Sequence, residues 1–305
     1  MAIRAHEDRC LTRALLAVAC ALVASIAAPA HAFCRMTAPP SPSGSCELHR
    51  VVSWPVTCVG ISLNTRELSS PLDAGQSLDA LMRRHLAPAA LAWSDVSCGS
   101  SLALVIAPDV DLPLDLALDG RNVVSVNRRW TPDAYHRPGT IAFTVVTTDI
   151  PTATLLEADV ELDALSMENP LGRTFDDGAP SWGVADIASV LLHELGHVVG
   201  LDHSFVPGAV MQSSMEVERQ RRVLTRDDLD GACALHPVSP ARPRPARDCA
   251  PEIPVAPPIR PSASGGCCAS HRRRDAPSSG ISVAVGALVA TRRRRPRPRR
   301  RPPSP

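Results

Sequence analysis

The residues best suited to chemistry in this chain lie together in the stretch HELGHVVGLDH, which runs from position 193 to 203. His193 and His197 are four residues apart, so in a helix their side chains project from one face about one turn from each other. Neutral imidazoles at this spacing can share one zinc ion. Glu194 follows the first histidine, which makes its carboxylate a candidate general base beside the metal.

A helix must hold the first two histidines, and a turn must bring in a third. The segment 186–199 has apolar residues at helical spacing, namely Ile187, Val190, Leu191, Leu195 and Val198. A helix continued past Gly200 would carry His203 about 9 Å beyond His197 along the axis, too far to share an ion whose bonds to nitrogen are about 2.0–2.1 Å. Gly200 is suited to reverse the chain, because glycine adopts positive φ without a steric penalty. Three histidines on a tetrahedral zinc leave one position for water, which is typical of a catalytic site.

The stretch matches the pattern HExxHxxGxxH at every specified position, and on that pattern the chain resembles the metzincin metallopeptidases. Three further features are similar to the matrixin branch of that family. They are Ser204 after the third histidine, Met211 in the sequence PGAVM, and a segment 224–237 that contains Asp227 and Asp228. The resemblance implies that Met211 forms an apolar floor under the metal ligands and that the paired acids tie a closing helix to this Met-turn.

The resemblance covers roughly residues 48–237 and implies an α+β zincin domain with a twisted mixed sheet, an active-site helix and a Met-turn. Residues 78–96 are similar to the family's first helix and 158–164 to one of its strands. Ile141, Phe143 and Val145 alternate within 140–148, as expected for a half-buried strand.

The function implied is that of a zinc-dependent endopeptidase. His193, His197 and His203 would bind a single catalytic zinc, and Glu194 would assist the attack of a zinc-bound water on the peptide bond. The alternative is an extracellular binding or adhesion protein that holds zinc without turnover.

The sequence also departs from that family. No histidine lies between His136 and His193, where vertebrate matrixins place ligands of a second zinc, so we expect one zinc. Asp159, Glu161 and Asp163 could supply oxygen ligands for calcium, but solvated surface charge explains the same residues and is the favoured interpretation. The cysteine-switch pattern PRCGxPD is absent, and QSSM follows Met211 in place of Pro-x-Tyr, so neither latency by that route nor substrate preference is transferable.

The amino terminus favours export. Residues 1–32 contain three arginines, then an apolar run over 14–28, then a small-residue end at Ala32, which is typical of a secretory signal peptide. Six cysteines of the region beyond it form an even set, which in an oxidising environment favours disulfides, although cysteine metal ligands are the competing interpretation. They are Cys34, Cys46, Cys58, Cys98, Cys233 and Cys249.

Charge divides the rest of the chain. Residues 33–239, the expected catalytic domain, contain 14 arginines against 26 acidic residues, whereas 240–305 contain 15 against three. An acidic domain argues against a nucleic-acid partner. The resemblance implies protein or peptide substrates, and we expect a monomer.

The carboxy-terminal region, rich in proline and arginine, predicts a linker over 240–264 and a tail over 265–305. The tail has a Gly-Gly-Cys-Cys motif, a short apolar stretch 281–290 and an arginine cluster, an order that resembles the sorting tails of myxobacterial surface proteins. Retention at a bacterial cell surface and a disordered basic tail both remain open at this point.

Overall fold

The protein is described from a computed structural model. The described residues are 33–42, 45–68, 77–114, 118–131, 136, 139–163, 175–176, 185–216, 219–254 and 281–291. The expected signal peptide over 1–32, the Gly-Gly-Cys-Cys motif at 265–268 and the arginine cluster over 292–301 lie outside them.

Three helices and thirteen strands form the described part of the chain. The helices are α1 (Leu78–Ser94), α2 (Ile187–Val199) and α3 (Arg226–Leu235). The longer strands are β4 (Cys58–Leu63), β5 (Ala103–Ile106), β6 (Val123–Asn127), β7 (Thr140–Asp149), β8 (Thr154–Asp163), β12 (Ser214–Glu216) and β13 (Ile281–Thr291). The two-residue strands are β1 (Cys34–Arg35), β2 (Thr37–Ala38), β3 (Arg50–Val51), β9 (Phe175–Asp176), β10 (Ala185–Asp186) and β11 (Leu201–Asp202).

Within the described residues, seven strands form one mixed sheet in the order β12-β13-β7-β8-β6-β4-β5. Strands β5, β4, β6 and β8 run parallel to one another, while β7 is antiparallel to β8. Strand β13 is antiparallel to β7 on its other edge and parallel to β12. The α+β architecture with a mixed sheet is therefore confirmed.

The strand expected over 140–148 is confirmed, but the expectation that only one of its faces is buried is wrong. Every residue of β7 from Thr140 to Thr148 is buried. One face packs on α2. On the other, the ring of Phe143 lies 5.5 Å from that of Trp130 and 5.3 Å from that of His136. Distant segments that alternation within the strand cannot reveal therefore cover both faces.

The core between the sheet and the helices is anchored by two buried tryptophans. Trp93 on α1 donates its indole N–H to Leu192 O at 2.8 Å, and Trp54 donates to Val198 O at 2.7 Å. Both acceptors belong to α2, and both rings are almost fully buried. The two rings thus fix α2 by packing and by a hydrogen bond each, since a buried indole N–H needs an acceptor.

Three disulfides confirm the expected pairing of the six cysteines. They join Cys34 to Cys46, Cys58 to Cys249, and Cys98 to Cys233. The second encloses a sequence separation of 191 residues, and the third one of 135. Long loops closed in this way restrict the unfolded chain most.

The segment from residue 240 to 254, which the sequence assigns to a linker, packs along the domain. Cys249 is bonded to β4, and Arg242 donates to the carbonyl oxygens of Trp54 and Val56 at 3.1 and 3.0 Å. Arg244 and Arg247 both pair with Asp95. Among the described helices, none is long and apolar enough to cross a membrane.

Candidate metal centre

Helix α2 is defined at both ends by its own sequence. The carboxylate of Asp186 accepts the backbone N–H of Ser189 at 2.9 Å and so caps the first turn. At the other end Gly200 adopts φ +107°, and its N–H bonds to His197 O at 2.9 Å. This conformation strains residues with a Cβ, so the glycine is what lets the chain reverse directly after the second histidine. The expected helix and its terminator are both confirmed.

The reversal brings the three predicted histidines together. The ring centroids of His193 and His197 are 4.9 Å apart. The ring centroid of His203 lies 5.4 Å from that of His193 and 4.8 Å from that of His197. One nitrogen from each ring lies within 4.8 Å of the others. Elsewhere in the described ranges, no other group of three or more histidine, cysteine or acidic side chains has a comparable arrangement.

Hydrogen bonds orient the two helical histidines. The Nδ1 atom of His193 lies 2.7 Å from Val210 O, and that of His197 lies 2.8 Å from Leu201 O. A carbonyl only accepts, so Nδ1 carries the proton in both rings and Nε2 keeps its lone pair. Such a bond fixes both the tautomer and the direction of the ring.

The Nε2 atoms of all three histidines are buried and have no hydrogen-bond partner among the described residues. Unpaired buried nitrogens are costly. Three that converge on one point fit a zinc ion, whose preferred ligands include neutral imidazole. The residues present therefore satisfy the donor set that such an ion needs.

Burial keeps these imidazoles uncharged. Desolvation lowers the pKa of His193 to about 3, with a smaller contribution from His203. Desolvation also lowers the pKa of His197 well below its usual range and lowers the pKa of His203. At neutral pH the three rings are therefore unprotonated, as metal binding requires.

The carboxylate of Glu194 is fully buried next to this cluster. Its Oε2 accepts a hydrogen bond from the hydroxyl of Thr144 at 2.6 Å, and the same hydroxyl lies 3.2 Å from Glu194 O. The other oxygen, Oε1, has no partner in the described part of the chain. Burial raises the pKa of Glu194 to about 8, while the Thr144 hydrogen bond opposes that rise. The Thr144 hydroxyl therefore holds one oxygen, and in the ionised form the other oxygen can accept a proton.

Met211 lies under the histidine helix, as the sequence predicted. A Cβ added at Gly196 would collide with the Met211 sulfur and would come within 2.8 Å of Trp93 Cζ2. The side chain of Met211 is almost fully buried. Gly196, between the two helical histidines, therefore lets the methionine and the tryptophan approach the helix backbone closely.

The paired acids of α3 connect this helix to the Met-turn. The carboxylate of Asp228 accepts the backbone N–H groups of Val210 and Met211, both at 3.0 Å. Asp227 accepts the hydroxyl of Ser204 at 2.6 Å. Because Val210 O in turn holds the His193 ring, Asp228 positions that imidazole through Val210.

The acidic side chains considered for calcium lie on β8 and are engaged with the protein. Asp159 accepts the N–H of Val123 at 2.9 Å, and Glu161 accepts from Asn127 and from His136 Nε2, the latter at 3.0 Å. Asp159, Glu161 and Asp163 are all buried, so the interpretation as surface charge is wrong. Calcium binding stays a prediction.

Comparison with known proteins agrees with this geometry. A sequence model of the family described as Matrixin matches residues 118–237. Residues 118–237 are therefore similar to the matrixin family. The match begins before β6 and ends just after α3, so it includes the three histidines, Glu194 and Met211.

Plant proteins are among those to which this chain is similar. It is 34% identical over 79 residues to metalloendoproteinase 4-MMP of Arabidopsis thaliana, an alignment that covers 23% of each chain. It is 36% identical over 62 residues to metalloendoproteinase 1 of Glycine max, with 20% of each chain covered. Metalloendoproteinase 5-MMP of Arabidopsis thaliana is 31% identical over 90 residues, which is 30% of this chain and 24% of that protein. The matches span less than a quarter of the length of these relatives. The matrixin family implies zinc as the metal of such a domain.

Sequence reasoning missed two contributors to the candidate metal site. Thr144 lies 50 positions before the carboxylate that it binds, within a stretch that gave only a strand signal. Gly196 was not singled out, although a glycine inside an amphipathic helix is a known indication of close packing.

Proposed function

We propose that this protein is a zinc-dependent endopeptidase that hydrolyses peptide bonds of extracellular proteins. The observation that carries the proposal is the convergence of three unpaired imidazole nitrogens beside a buried carboxylate with one free oxygen. The ligand set is His193, His197 and His203, and the general base is Glu194. The match to the matrixin family and the names of the plant relatives support this activity.

Zinc held by these three nitrogens supplies Lewis-acid polarisation of the scissile carbonyl and lowers the pKa of water. The Oε1 atom of Glu194 accepts the proton of the attacking water, because Oε2 is already bound to the Thr144 hydroxyl. The protonated carboxyl then donates that proton to the leaving amine, so one side chain acts first as base and then as acid. Burial raises the pKa of Glu194 and so makes its carboxylate a stronger base for the first step.

Replacing Glu194 by glutamine separates an enzyme from a protein that only holds zinc. The amide keeps the shape of the side chain but cannot take up a proton, so the rate of casein digestion should fall by at least about 10²-fold. Zinc content should remain at one atom per chain, because Glu194 supplies no ligand. A wild-type protein that binds zinc and digests nothing would favour the non-catalytic alternative, and equal activity in the variant would contradict the role of Glu194.

The ligand set is tested by two alanine variants. His203→Ala removes one converging nitrogen and should lose most of the bound zinc, measured by elemental analysis after dialysis. His49→Ala removes an exposed histidine outside the cluster and should leave the zinc content unchanged. Equal zinc content in the two variants would contradict the assignment.

We infer that the protein is exported. The amino-terminal pattern is that of a signal peptide, and the three disulfides are consistent with an oxidising compartment. Retention at a bacterial surface through the region 265–305 is the finer proposal. It predicts that deletion of that region moves the protein from cells to medium, whereas unchanged cell association would contradict it.

A further inference from the structure

The edge of β7 that faces away from β8 is occupied by β13, a distant part of the same chain. Strand β7 pairs with β8 through one edge and with β13 through the other. Strand β13 begins 27 positions after residue 254, the last described residue before it. Without β13, the second edge of β7 would present a row of free N–H and C=O groups, to which an extended peptide can add as a further strand.

This edge is next to the candidate catalytic carboxylate. Thr144 lies on β7, and its hydroxyl holds the Oε2 of Glu194. In the antiparallel register, Thr144 is opposite Gly286 of β13. Directly opposite positions share a face of the sheet, so the tail presents glycine on the face where β7 reaches the carboxylate. A glycine at such a point allows a close approach of the backbone.

The other side of β13 is bordered by the segment that follows the Met-turn. Strand β12 begins three residues after Met211 and pairs in parallel with β13. The register places Ser214 opposite Val289 and Met215 opposite Ala290. Helix α2 lies against both β7 and β13. Strand β13 therefore lies between β7 and β12, beside the helix that carries His193, Glu194 and His197.

We propose that the segment 281–291 is an inhibitory strand that occupies, within the same chain, the edge where a peptide substrate binds. The proposal rests on the proposed endopeptidase function, since it names how that site is regulated. An extended substrate aligned along β7 would need the backbone groups that β13 already uses, so the two exclude each other. Displacement or removal of the segment would open the site.

The test is a pair of tail variants in the full-length, zinc-loaded chain. In the double variant Val285→Pro/Gly286→Pro, each proline removes a backbone N–H. Successive residues of a strand direct their N–H groups to opposite sides, so either residue 285 or residue 286 donates to β7. One of the two prolines therefore removes that donor. Ser279→Pro places proline in the same tail, two positions before the strand, and serves as the matched control.

Casein binding is measured for the native tail and for both tail variants, each in a chain that also carries Glu194→Gln, so that self-cleavage cannot change the sample. The probe is fluorescein-labelled casein, an extended polypeptide, followed by fluorescence anisotropy. The double proline variant should bind casein at least about tenfold more tightly than the chain with the native tail, because casein no longer competes with β13 for the edge of β7. The Ser279→Pro control should bind like the native tail.

Hydrogen–deuterium exchange reports on the strand itself. Amides of Thr140–Asp149 should exchange faster in the double variant, because those that bond to β13 lose protection. Amides of β8 serve as the internal reference, since that strand pairs with β6 and β7 and should remain protected. The same variants with Glu194 intact should show a rise in the kcat/KM of casein digestion that matches the gain in affinity.

The outcomes separate the two proposals. Unchanged casein affinity in the double variant overturns the inhibitory strand, even if the wild-type protein digests casein. Tighter binding with faster exchange supports the strand, and if no form of the chain then digests casein, it is the endopeptidase function that fails.

Discussion

The hydrogen bond from Thr144 to Glu194 gives the sharpest test of how the candidate base is tuned. Thr144→Val replaces the hydroxyl by a methyl group of similar size and leaves the Oε2 of Glu194 without a donor. Both side chains are fully buried, so water cannot readily replace the lost bond. A hydrogen bond to a charged group contributes about 1.5–3 kcal/mol, which at about 1.36 kcal/mol per unit corresponds to a pKa shift of about one to two units.

The direction of that shift follows from the chemistry. The hydroxyl stabilises the ionised carboxylate and so lowers the pKa of Glu194; its loss raises this pKa further. Only the ionised form accepts a proton, so the acid limb of the kcat/KM profile should move about one to two units to higher pH. Below that limb, activity should be about 10- to 100-fold lower than in the wild type.

The assay is casein digestion between pH 5 and 11 with zinc content checked at each pH. Thr147→Val is the control, because it makes the same change on β7 at a position whose side chain makes no hydrogen bond to Glu194 among the described contacts. Its profile should coincide with that of the wild type. An acid limb that stays in place in Thr144→Val, with zinc bound, would refute the claim that this hydroxyl tunes the base.

Three other perturbations have defined outcomes. Gly196→Ala forces a Cβ toward Trp93 and should lower the free energy of unfolding by about 1–3 kcal/mol; an unchanged melting temperature would contradict the close packing. Asp228→Ala leaves the buried N–H of Met211 without an acceptor and should cost about 1–3 kcal/mol for that group, with faster loss of zinc to a chelator; zinc retention equal to the wild type would argue against the link to the ligands. Burial lowers the pKa of His236 to about 4, whereas the same histidine in the unfolded chain has a pKa of about 6.5 and so takes up its proton first as the pH falls. The free energy of unfolding should therefore decrease by about 2 kcal/mol between pH 7 and 5. Urea titrations of His236→Gln should not show that part of the loss.

Helix α2 could be predicted from local sequence, because all the signals for it lie within one segment. The apolar spacing, the cap at Asp186 and the reversal at Gly200 all concern neighbouring residues. The convergence of His193, His197 and His203 followed from that reversal. The six cysteines could be assigned to disulfides, but their partners depended on distances between remote elements.

Contacts between remote segments could not be inferred in this way. The burial of both faces of β7 depends on α2 and on the rings of Trp130 and His136, which are separate in sequence. The acidic residues of β8 alternate with apolar ones, as on a solvated strand, yet Asp159 and Glu161 are buried with hydrogen-bond donors. The apolar stretch 281–290 gave no indication of a strand partner, because pairing with β7 depends on a register set by tertiary structure.

The coordination of bound zinc tests the central claim most directly. X-ray absorption spectroscopy of the full-length, zinc-loaded chain should show three imidazole nitrogens and one further oxygen or nitrogen, at about 2.0–2.1 Å. His203→Ala should lose one imidazole contribution, while His49→Ala should give the wild-type spectrum. Sulfur scatterers at about 2.3 Å, or a spectrum that His203→Ala leaves unchanged, would contradict a zinc centre built from these three histidines.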